Sequence, residues 1–387
     1  MTLLVSGDRV SDTLVIDRSL GEGAFAEVHR VRHEYLGWQA MKLFKRVASK
    51  EETVRMLDEA RLLSTLGHPN IVRVFDANTV RTPEGVRGFF TMEYVAGGSL
   101  ERLAAAHKSM VPRDLVAEVV TQIASGLAVA HDQDPPIVHR DVTMANVLVG
   151  YDGTGMRVRV SDFGLAKRAD PFTHLASAQG TYAFMAPEVM RNQGYSCASD
   201  VWSVGVIAYL LLTNRFPFHQ GGEEFSSFSF GRFNRSLLPP SSYNDEVDAE
   251  LDRIVLAMLE LDPQNRPATA QVLGDALRER AEAMAGAGAA AGDSAGDSVG
   301  GAAASGGSAV SAKAAGSAKA AGSARSAVNR PPTQRARRLA EEALELARSP
   351  GELDRAADLM EEAVNLSPYL RDLHLSKLTL WRRGVMM

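Results

Sequence analysis

Two short stretches decide the fold: residues 139–146 read His-Arg-Asp-Val-Thr-Met-Ala-Asn, and residues 161–164 read Ser-Asp-Phe-Gly. Asp141 offers a carboxylate that can receive a hydroxyl proton and orient the oxygen. Asn146 and Asp162 offer the amide and carboxylate oxygens that magnesium ions prefer. A His-Arg-Asp tripeptide alone carries little information, but these spacings together rarely arise by chance. They predict a site for phosphoryl transfer.

A glycine-rich segment near the start of the chain offers a place for phosphates. Residues 20–28 read Leu-Gly-Glu-Gly-Ala-Phe-Ala-Glu-Val and follow a strand-like run at 14–16. Gly21 and Gly23 let the backbone approach phosphates without a Cβ in the way. A dinucleotide-binding fold also begins with a strand and a glycine-rich turn, but it continues into a helix. Here a second strand-like run follows, which disfavours that alternative.

A lysine and a glutamate in the next two segments predict a phosphate clamp. Lys42 lies in the strand-like run 39–44, and Glu59 lies in the helical pattern 56–63. A lone strand lysine is most often a solvated residue. Paired with a carboxylate, its ammonium would be held against the α- and β-phosphates.

Residues 11–280 resemble a eukaryotic-type (Hanks-type) Ser/Thr protein kinase of the bacterial branch. Beyond the motifs already quoted, the resemblance rests on five further segments in the expected order: 68–71, 92–95, 180–188, 199–205 and 262–267. It implies an α+β fold with two lobes, a small β-rich N-lobe and a large helical C-lobe. It also implies ATP and Mg²⁺ as cofactors and protein substrates with Ser or Thr acceptors.

The resemblance also implies roles for individual residues. Asp141, Lys42, Asn146 and Glu59 would be catalytic, and Asn146 and Asp162 would hold metal. The residues expected to contact ATP are Leu20, Gly21, Glu22, Gly23, Ala24, Phe25, Val28, Ala40, Lys42, Met92, Glu93, Val95 and Leu148. Leu63, Val74, His139 and Phe163 would stack as a hydrophobic column. Glu188 and Arg266 would form a structural ion pair, and Asp200 would tie the catalytic loop to the core.

The catalytic loop departs from the family pattern at Thr143, where Ser/Thr kinases usually carry a lysine that contacts the transferring phosphate. Two alternatives follow. Either another positive charge contacts the transferring phosphate and the enzyme works more slowly, or catalysis is impaired and the domain acts as a nucleotide-binding scaffold. Loss of one electrostatic stabiliser costs about 10²–10³ in rate. Because the other five motif residues are intact, an active enzyme is the favoured interpretation.

The loop before Ala186 predicts the acceptor and its regulation. Thr181 resembles the Ser/Thr-directed version of this loop, so the acceptor is expected to be Ser or Thr. Arg140 carries a positive charge that a phosphate in the activation segment could meet. Thr173 and Ser177 lie in that segment and are candidate phosphosites.

Composition fits an ordinary cytoplasmic enzyme. The chain has 387 residues and a net charge of −5, which disfavours a general nucleic-acid binder. Its single cysteine, Cys197, excludes an internal disulfide framework. No basic, apolar leader pattern opens the sequence, and the longest apolar stretch, 201–212, is too short to cross a bilayer. The expectation is therefore no nucleic-acid partner and no membrane partner.

The chain changes character after a helix predicted over 269–284. Residues 285–334 are almost entirely Ala, Gly and Ser. Because they contain too few large apolar side chains to offset the entropy of ordering, we predict a disordered linker. Residues 335–384 return to helical patterning and resemble a degenerate tetratricopeptide unit. This segment could pack on the kinase, self-associate or bind a protein partner. An alternative function is thus a catalytically weak kinase-like scaffold that binds partners through it.

Overall fold

The computed structural model describes residues 2–23, 26–45, 64–107, 110–153, 155–163, 182–219, 230–293, 334–347 and 352–367, with positions 370, 374, 377, 378 and 381. The chain forms two compact units, Met1–Asp275 and Ala276–Met387. Predicted residues in the gaps between these ranges lie outside the described residues. They are Ala24, Phe25, Glu59, Leu63, Thr173, Ser177 and Thr181.

The first part of unit one is a five-stranded antiparallel sheet. Its strands are β1 (Leu14–Glu22), β2 (Ala26–His33), β3 (Gly37–Phe44), β4 (Val74–Thr82) and β5 (Gly85–Glu93), in the spatial order β1-β2-β3-β5-β4. Cross-strand partners share a face of a sheet, and so do residues two apart. Val28 pairs with Lys42 and Ala40 pairs with Met92. These four side chains therefore share one face.

The opposite face of the sheet is covered by the chain's own first residues, 2–10, which we call the N-terminal strap. Leu3 and Leu4 are buried and join a core cluster formed by β1, β2, β3, β4 and β5. The backbone N–H of Leu3 donates to the buried carboxylate of Glu27, at 2.9 Å to Oε1. The strap therefore supplies part of this core, and the predicted domain boundary at residue 11 stays a prediction.

The rest of unit one is helical and carries the predicted C-lobe. Its helices are α1 (Leu100–Ala106), α2 (Arg113–His131), α3 (Pro187–Met190), α4 (Cys197–Thr213), α5 (Ala249–Met258) and the start of α6 (Ala270–Asp293). Fifteen residues of α4 are buried, since its sequence is apolar on every side, the pattern of a central helix. Within unit one, the two-lobed α+β fold predicted from sequence is confirmed.

A short hairpin lies between α2 and α3 and completes the support of the catalytic loop. Strands β6 (Val147–Asp152) and β7 (Gly155–Val160) are antiparallel, with Leu148 opposite Arg159. Val72 and Asn70, just before β4, exchange backbone hydrogen bonds with Val160. Residues 139–146 directly precede β6, and residues 161–163 directly follow β7.

The second unit contains two further helices, α7 (Gln334–Leu346) and α8 (Leu353–Leu366). They pack through small side chains, including Ala336, Ala340 and Ala356, which are buried. The predicted helical tail is confirmed, whereas its likeness to a tetratricopeptide repeat stays a prediction. Among the described residues, no helix is both long enough and apolar enough to cross a membrane.

Helix α6 ends later than the sequence predicts. It runs to Asp293, nine residues beyond 284, and the predicted linker bounds of 285–334 stay a prediction. These residues are rich in alanine, the best helix former, and alanine outweighs the cost of the glycines among them. The remainder of the proposed linker, 294–333, lies outside the described residues.

Candidate active site

The catalytic loop is anchored to helix α4 by one carboxylate. Asp200, itself only 1% exposed, accepts the backbone N–H of His139 at 2.7 Å and that of Arg140 at 2.9 Å. His131 at the end of α2 adds its Nε2, 3.0 Å from Asp200 Oδ2. Arg140 has φ 69°, a left-handed conformation that a non-glycine residue adopts at a cost of about 1–3 kcal/mol. Asp200 offsets that cost, as predicted for the residue that ties this loop to the core.

Asp141 and Asn146 are joined by hydrogen bonds across the loop. The amide nitrogen Nδ2 of Asn146 donates to the backbone oxygen of Asp141 at 2.9 Å and to its Oδ2 at 3.1 Å. The loop is closed by Asn146 N–H, which donates to the carbonyl of Thr143 at 3.1 Å. These contacts fix the orientation of the Asp141 carboxylate, and the amide oxygen of Asn146 is the group that can hold a cation.

Lys42 and Asp162 meet at the same site from opposite lobes. The ammonium of Lys42 lies 2.8 Å from Asp162 Oδ1. Asp162 has φ 60°, which turns its carboxylate toward the sheet at the end of β7. The backbone N–H of Ser161, the residue before Asp162, donates to the carbonyl of Asn146 at 2.8 Å. The carboxylate of Asp162 and the amide oxygen of Asn146 are ligands that suit Mg²⁺ completed by phosphate oxygens. The residues present therefore fit the metal that the sequence implies.

His139 connects the backbone on either side of the site, at Asp141 and at Ser161. Its Nε2 donates to the carbonyl of Ser161 at 2.9 Å, and its Nδ1 accepts the backbone N–H of Asp141 at 3.2 Å. Burial lowers the pKa of His139, against the opposing charge of Asp200. The imidazole also contacts the ring of Phe163, with centroids 4.5 Å apart. Two members of the predicted hydrophobic column therefore touch, and Val74 is buried in β4.

The predicted nucleotide residues that the structure describes lie on the sheet, just after β5 and on β6. One face of the sheet carries Val28, Ala40, Lys42 and Met92. Glu93 is the last residue of β5, Val95 lies in the connection to the C-lobe, and Leu148 lies on β6. Leu20, Gly21, Glu22 and Gly23 are exposed at the end of β1. The side chain of Glu22 pairs with Lys45, whose hydrogen bond and charge lower the pKa of Glu22.

Residues 184–188, on the predicted substrate side, form hydrogen bonds with the same helix α4. Ser203 donates to the carbonyl of Phe184 at 2.8 Å, and Ser199 donates to Glu188 at 3.0 Å. Glu188 in turn accepts both terminal nitrogens of Arg266, each at 2.8 Å, the bidentate geometry that makes such pairs strong. The predicted Glu188–Arg266 ion pair is present.

A small cavity of about 20 Å³ opens between the catalytic loop and residues 184–189. Asp141, Thr143, Ala186 and Tyr195 line it, and Thr143 is buried. A space of this size holds one small group, such as a water or a hydroxyl, beside Asp141.

Three contributors to the site are not predicted by the sequence. Ser199 and His131 hold Glu188 and Asp200, and Arg159 on β7 pairs with Glu93 at 3.0 Å. No local pattern marks them, because each acts on a residue far away in the chain. Of the three, only Ser199 carries a sequence signal, because it occupies the N3 position of a capping box at the start of α4.

Comparisons with known proteins agree with this geometry. A family profile described as the protein kinase domain matches residues 14–277. Serine/threonine-protein kinase PknB of Mycobacterium tuberculosis is 30% identical over 274 residues, covering 69% of this chain and 42% of PknB. Serine/threonine-protein kinase Pkn1 of Myxococcus xanthus is 34% identical over 268 residues, covering 67% and 37%. This chain thus spans about two fifths of the length of these relatives.

Solved structures show the same fold. The crystal structure of the Mycobacterium tuberculosis PknI kinase domain is similar at 26% sequence identity, with a TM-score of 0.53. The match covers 71% of this chain and 99% of that domain. A cysteine-to-alanine mutant of the same domain gives 25% identity, a TM-score of 0.53 and coverage of 72% and 100%.

Proposed function

Because the chain belongs to the protein kinase family, we propose that it transfers the γ-phosphoryl group of ATP to Ser or Thr hydroxyls of proteins. The observation that carries the proposal is the arrangement of Asp141, Asn146, Asp162 and Lys42 within one site. The relatives that are 30% and 34% identical are named serine/threonine-protein kinases, which supports this acceptor.

Asp141 is the proposed base for the acceptor hydroxyl. Asn146 holds its carboxylate in place through Oδ2, and the carboxylate takes the hydroxyl proton while the hydroxyl oxygen bonds to the γ-phosphorus. The bond from that phosphorus to the β-γ bridging oxygen breaks, and ADP leaves with the electron pair. General base catalysis of this kind contributes about 10²–10⁴ in rate.

Asn146 and Asp162 would hold magnesium, with Lys42 close by to meet the phosphates. When bound, the metal neutralises charge on the phosphate oxygens. The contact of Lys42 with Asp162 supports this assignment, because the ammonium lies beside a proposed metal ligand. Glu59 is proposed as the further partner of Lys42. The adenine ring is proposed to lie between the sheet face of Val28, Ala40 and Met92 and the side chain of Leu148 on β6.

Thr143 argues for a slower enzyme rather than an inactive one. It is buried beside Asp141 and lines the cavity, so a neutral hydroxyl stands where relatives of this type usually supply a charge. The remaining electrostatic groups are held in place by the contacts described above. The scaffold alternative is therefore not favoured.

Regulation through the activation segment is part of the proposal. The Nε atom of Arg140 is buried, and among the described residues it has no hydrogen-bond partner. Its guanidinium lies 5.7 Å from the ring of Tyr195. Phosphate on Thr173 or Ser177 would supply the missing anion, with Thr181 directing Ser/Thr acceptors. A cytoplasmic location is proposed from composition, and a protein partner or self-association from residues 335–384.

The test is transfer of labelled phosphate from ATP with magnesium, by the whole chain and by Asp141→Asn. Asp132→Asn, an exposed aspartate at the end of α2, is the matched control. We expect the wild type and the control to label their own Ser or Thr residues or casein, and Asp141→Asn to lose about 10²–10⁴ in rate. Absence of labelling in all three proteins would refute the proposed activity and favour the scaffold alternative.

A further inference from the structure

An ion pair crosses between the lobes at the connection that follows β5. Arg159 lies on β7 of the C-lobe hairpin, and its Nε lies 3.0 Å from Oε1 of Glu93, the last residue of β5. The side chain of Arg159 is 15% exposed and that of Glu93 is 31% exposed. A pair this well covered is screened less than one on the open surface.

Arg159 occupies a position that faces the proposed adenine slot. It is the cross-strand partner of Leu148, and partners in an antiparallel ladder project from the same face. Leu148 would form the floor of that slot, whereas the backbone of Glu93 and Val95 would form its edge. Arg159 therefore joins the floor to the edge through one charged contact.

The neighbouring residue of the connection is held from the N-lobe side. The guanidinium of Arg30 lies 4.3 Å from the ring of Trp38 and 5.5 Å from that of Tyr94. Arg30 Nε also donates to Asp17 Oδ2 at 2.7 Å, which fixes its orientation. In addition, the backbone N–H of Glu93 donates to the carbonyl of Arg73 at 2.8 Å. Since the N-lobe already fixes the connection, Arg159 sets its distance from the C-lobe.

We propose that Arg159 is a positioning residue for the nucleotide, which acts by holding Glu93 so that the slot between residues 93–95 and Leu148 keeps the width of an adenine ring. The inference rests on the proposed function, because it assigns a task to a residue of the same site. Arg159 contacts Glu93, which would border the adenine ring rather than the phosphates. It should therefore govern nucleotide affinity and leave the transfer step unchanged.

Arg157 provides a matched control on the same strand and the same face. It pairs with Asp152 at 2.9 Å, with side chains 22% and 35% exposed, two residues farther from the connection. Removal of either arginine deletes one partly covered ion pair. Only the change at Arg159 releases Glu93, so a merely structural contribution would affect both variants alike.

The experiment measures ATP affinity by calorimetry in the full chain carrying Asp141→Asn, which prevents turnover. The variants are Arg159→Met, Glu93→Gln, both together, and Arg157→Met. We expect Arg159→Met to weaken ATP binding about fivefold, as a partly exposed pair worth about 1 kcal/mol requires. Glu93→Gln should do the same, and the double variant should be no weaker than either single one. Arg157→Met should bind as the parent does.

Kinetics with Asp141 intact complete the test. Arg159→Met should raise the KM for ATP and leave kcat unchanged. Equal ATP affinity in Arg159→Met and the parent would overturn the inference, and so would additive losses in the double variant. If the parent itself fails to bind ATP, the proposed function falls first, and the inference falls with it.

Discussion

Replacement of Glu188 by glutamine should destabilise the C-lobe more than any exposed ion-pair change. The side chain of Arg266 is fully buried and that of Glu188 is 8% exposed. Removal of one partner leaves a buried charge without its counter-ion, which typically costs about 3–5 kcal/mol. Arg266 would keep three carbonyl acceptors, those of Glu260, Leu261 and Ala198. These remaining hydrogen bonds place the expected loss near the lower figure, about 3 kcal/mol.

The assay is unfolding of the full chain in urea and by heat. A loss of about 3 kcal/mol corresponds to a fall of about 6–12 °C in Tm for a domain of this size. Glu250→Gln is the control, because Glu250 makes a similar two-point contact with Arg253 on the surface of α5, where both side chains are about half exposed. Its expected cost is below about 1 kcal/mol.

The pH dependence gives an independent check. Burial raises the pKa of Glu188, but the hydrogen bonds and charge of Arg266 outweigh burial, so the net pKa is lowered. The stabilisation is therefore complete above the pKa of an unfolded glutamate, about 4.3, and is lost as pH falls through the lowered pKa of the folded state. The difference between wild type and Glu188→Gln should shrink below about pH 4. A loss under about 1 kcal/mol at neutral pH would refute the reasoning.

Three further predictions follow from packing and protonation. Gly205→Ala should destabilise by about 1–3 kcal/mol in urea unfolding, because its Cβ would lie 2.7 Å from that of Met258; Gly274→Ala, whose nearest neighbour is at 3.9 Å, should be neutral or stabilising by up to about 1 kcal/mol. Leu3→Ala should lower the unfolding free energy by about 2–5 kcal/mol if the strap belongs to the core; a change below about 0.5 kcal/mol would contradict this. Since burial lowers the pKa of His139, stability should fall as pH drops below about 6.5, when only the unfolded imidazole is protonated; the slope in His139→Gln should be shallower, and an equal slope would disprove it.

The fold was predictable because its motifs are local. The spacing from Asp141 to Asn146 lies within one loop, and the hydrogen bonds between them follow from that closeness. The strand-like run 39–44 likewise predicted the strand that carries Lys42. The assignments of chemistry to these residues stay predictions, as do those of Glu59 and Thr181, which lie outside the described residues.

Contacts between distant segments could not be read from the chain. Leu3 lies outside every motif of the sequence, and only the folded sheet shows that β1 to β5 leave an apolar face for it. Arg159 and Arg157 share one strand pattern, but only Arg159 reaches Glu93. The extension of α6 to Asp293 reflects a balance between alanine and glycine that composition alone does not decide.

Asp200 gives the catalytic loop a property that loops rarely have. The amide hydrogens of His139 and Arg140 end on a carboxylate that is 1% exposed and belongs to the central helix α4. Solvent can reach those hydrogens only when α4 itself separates from the loop, an opening as costly as unfolding of the core. In hydrogen exchange, residues 139 and 140 should therefore keep their protons as long as α4 does. By this measure, we expect the loop that carries the proposed base to be as rigid as the buried interior of the C-lobe.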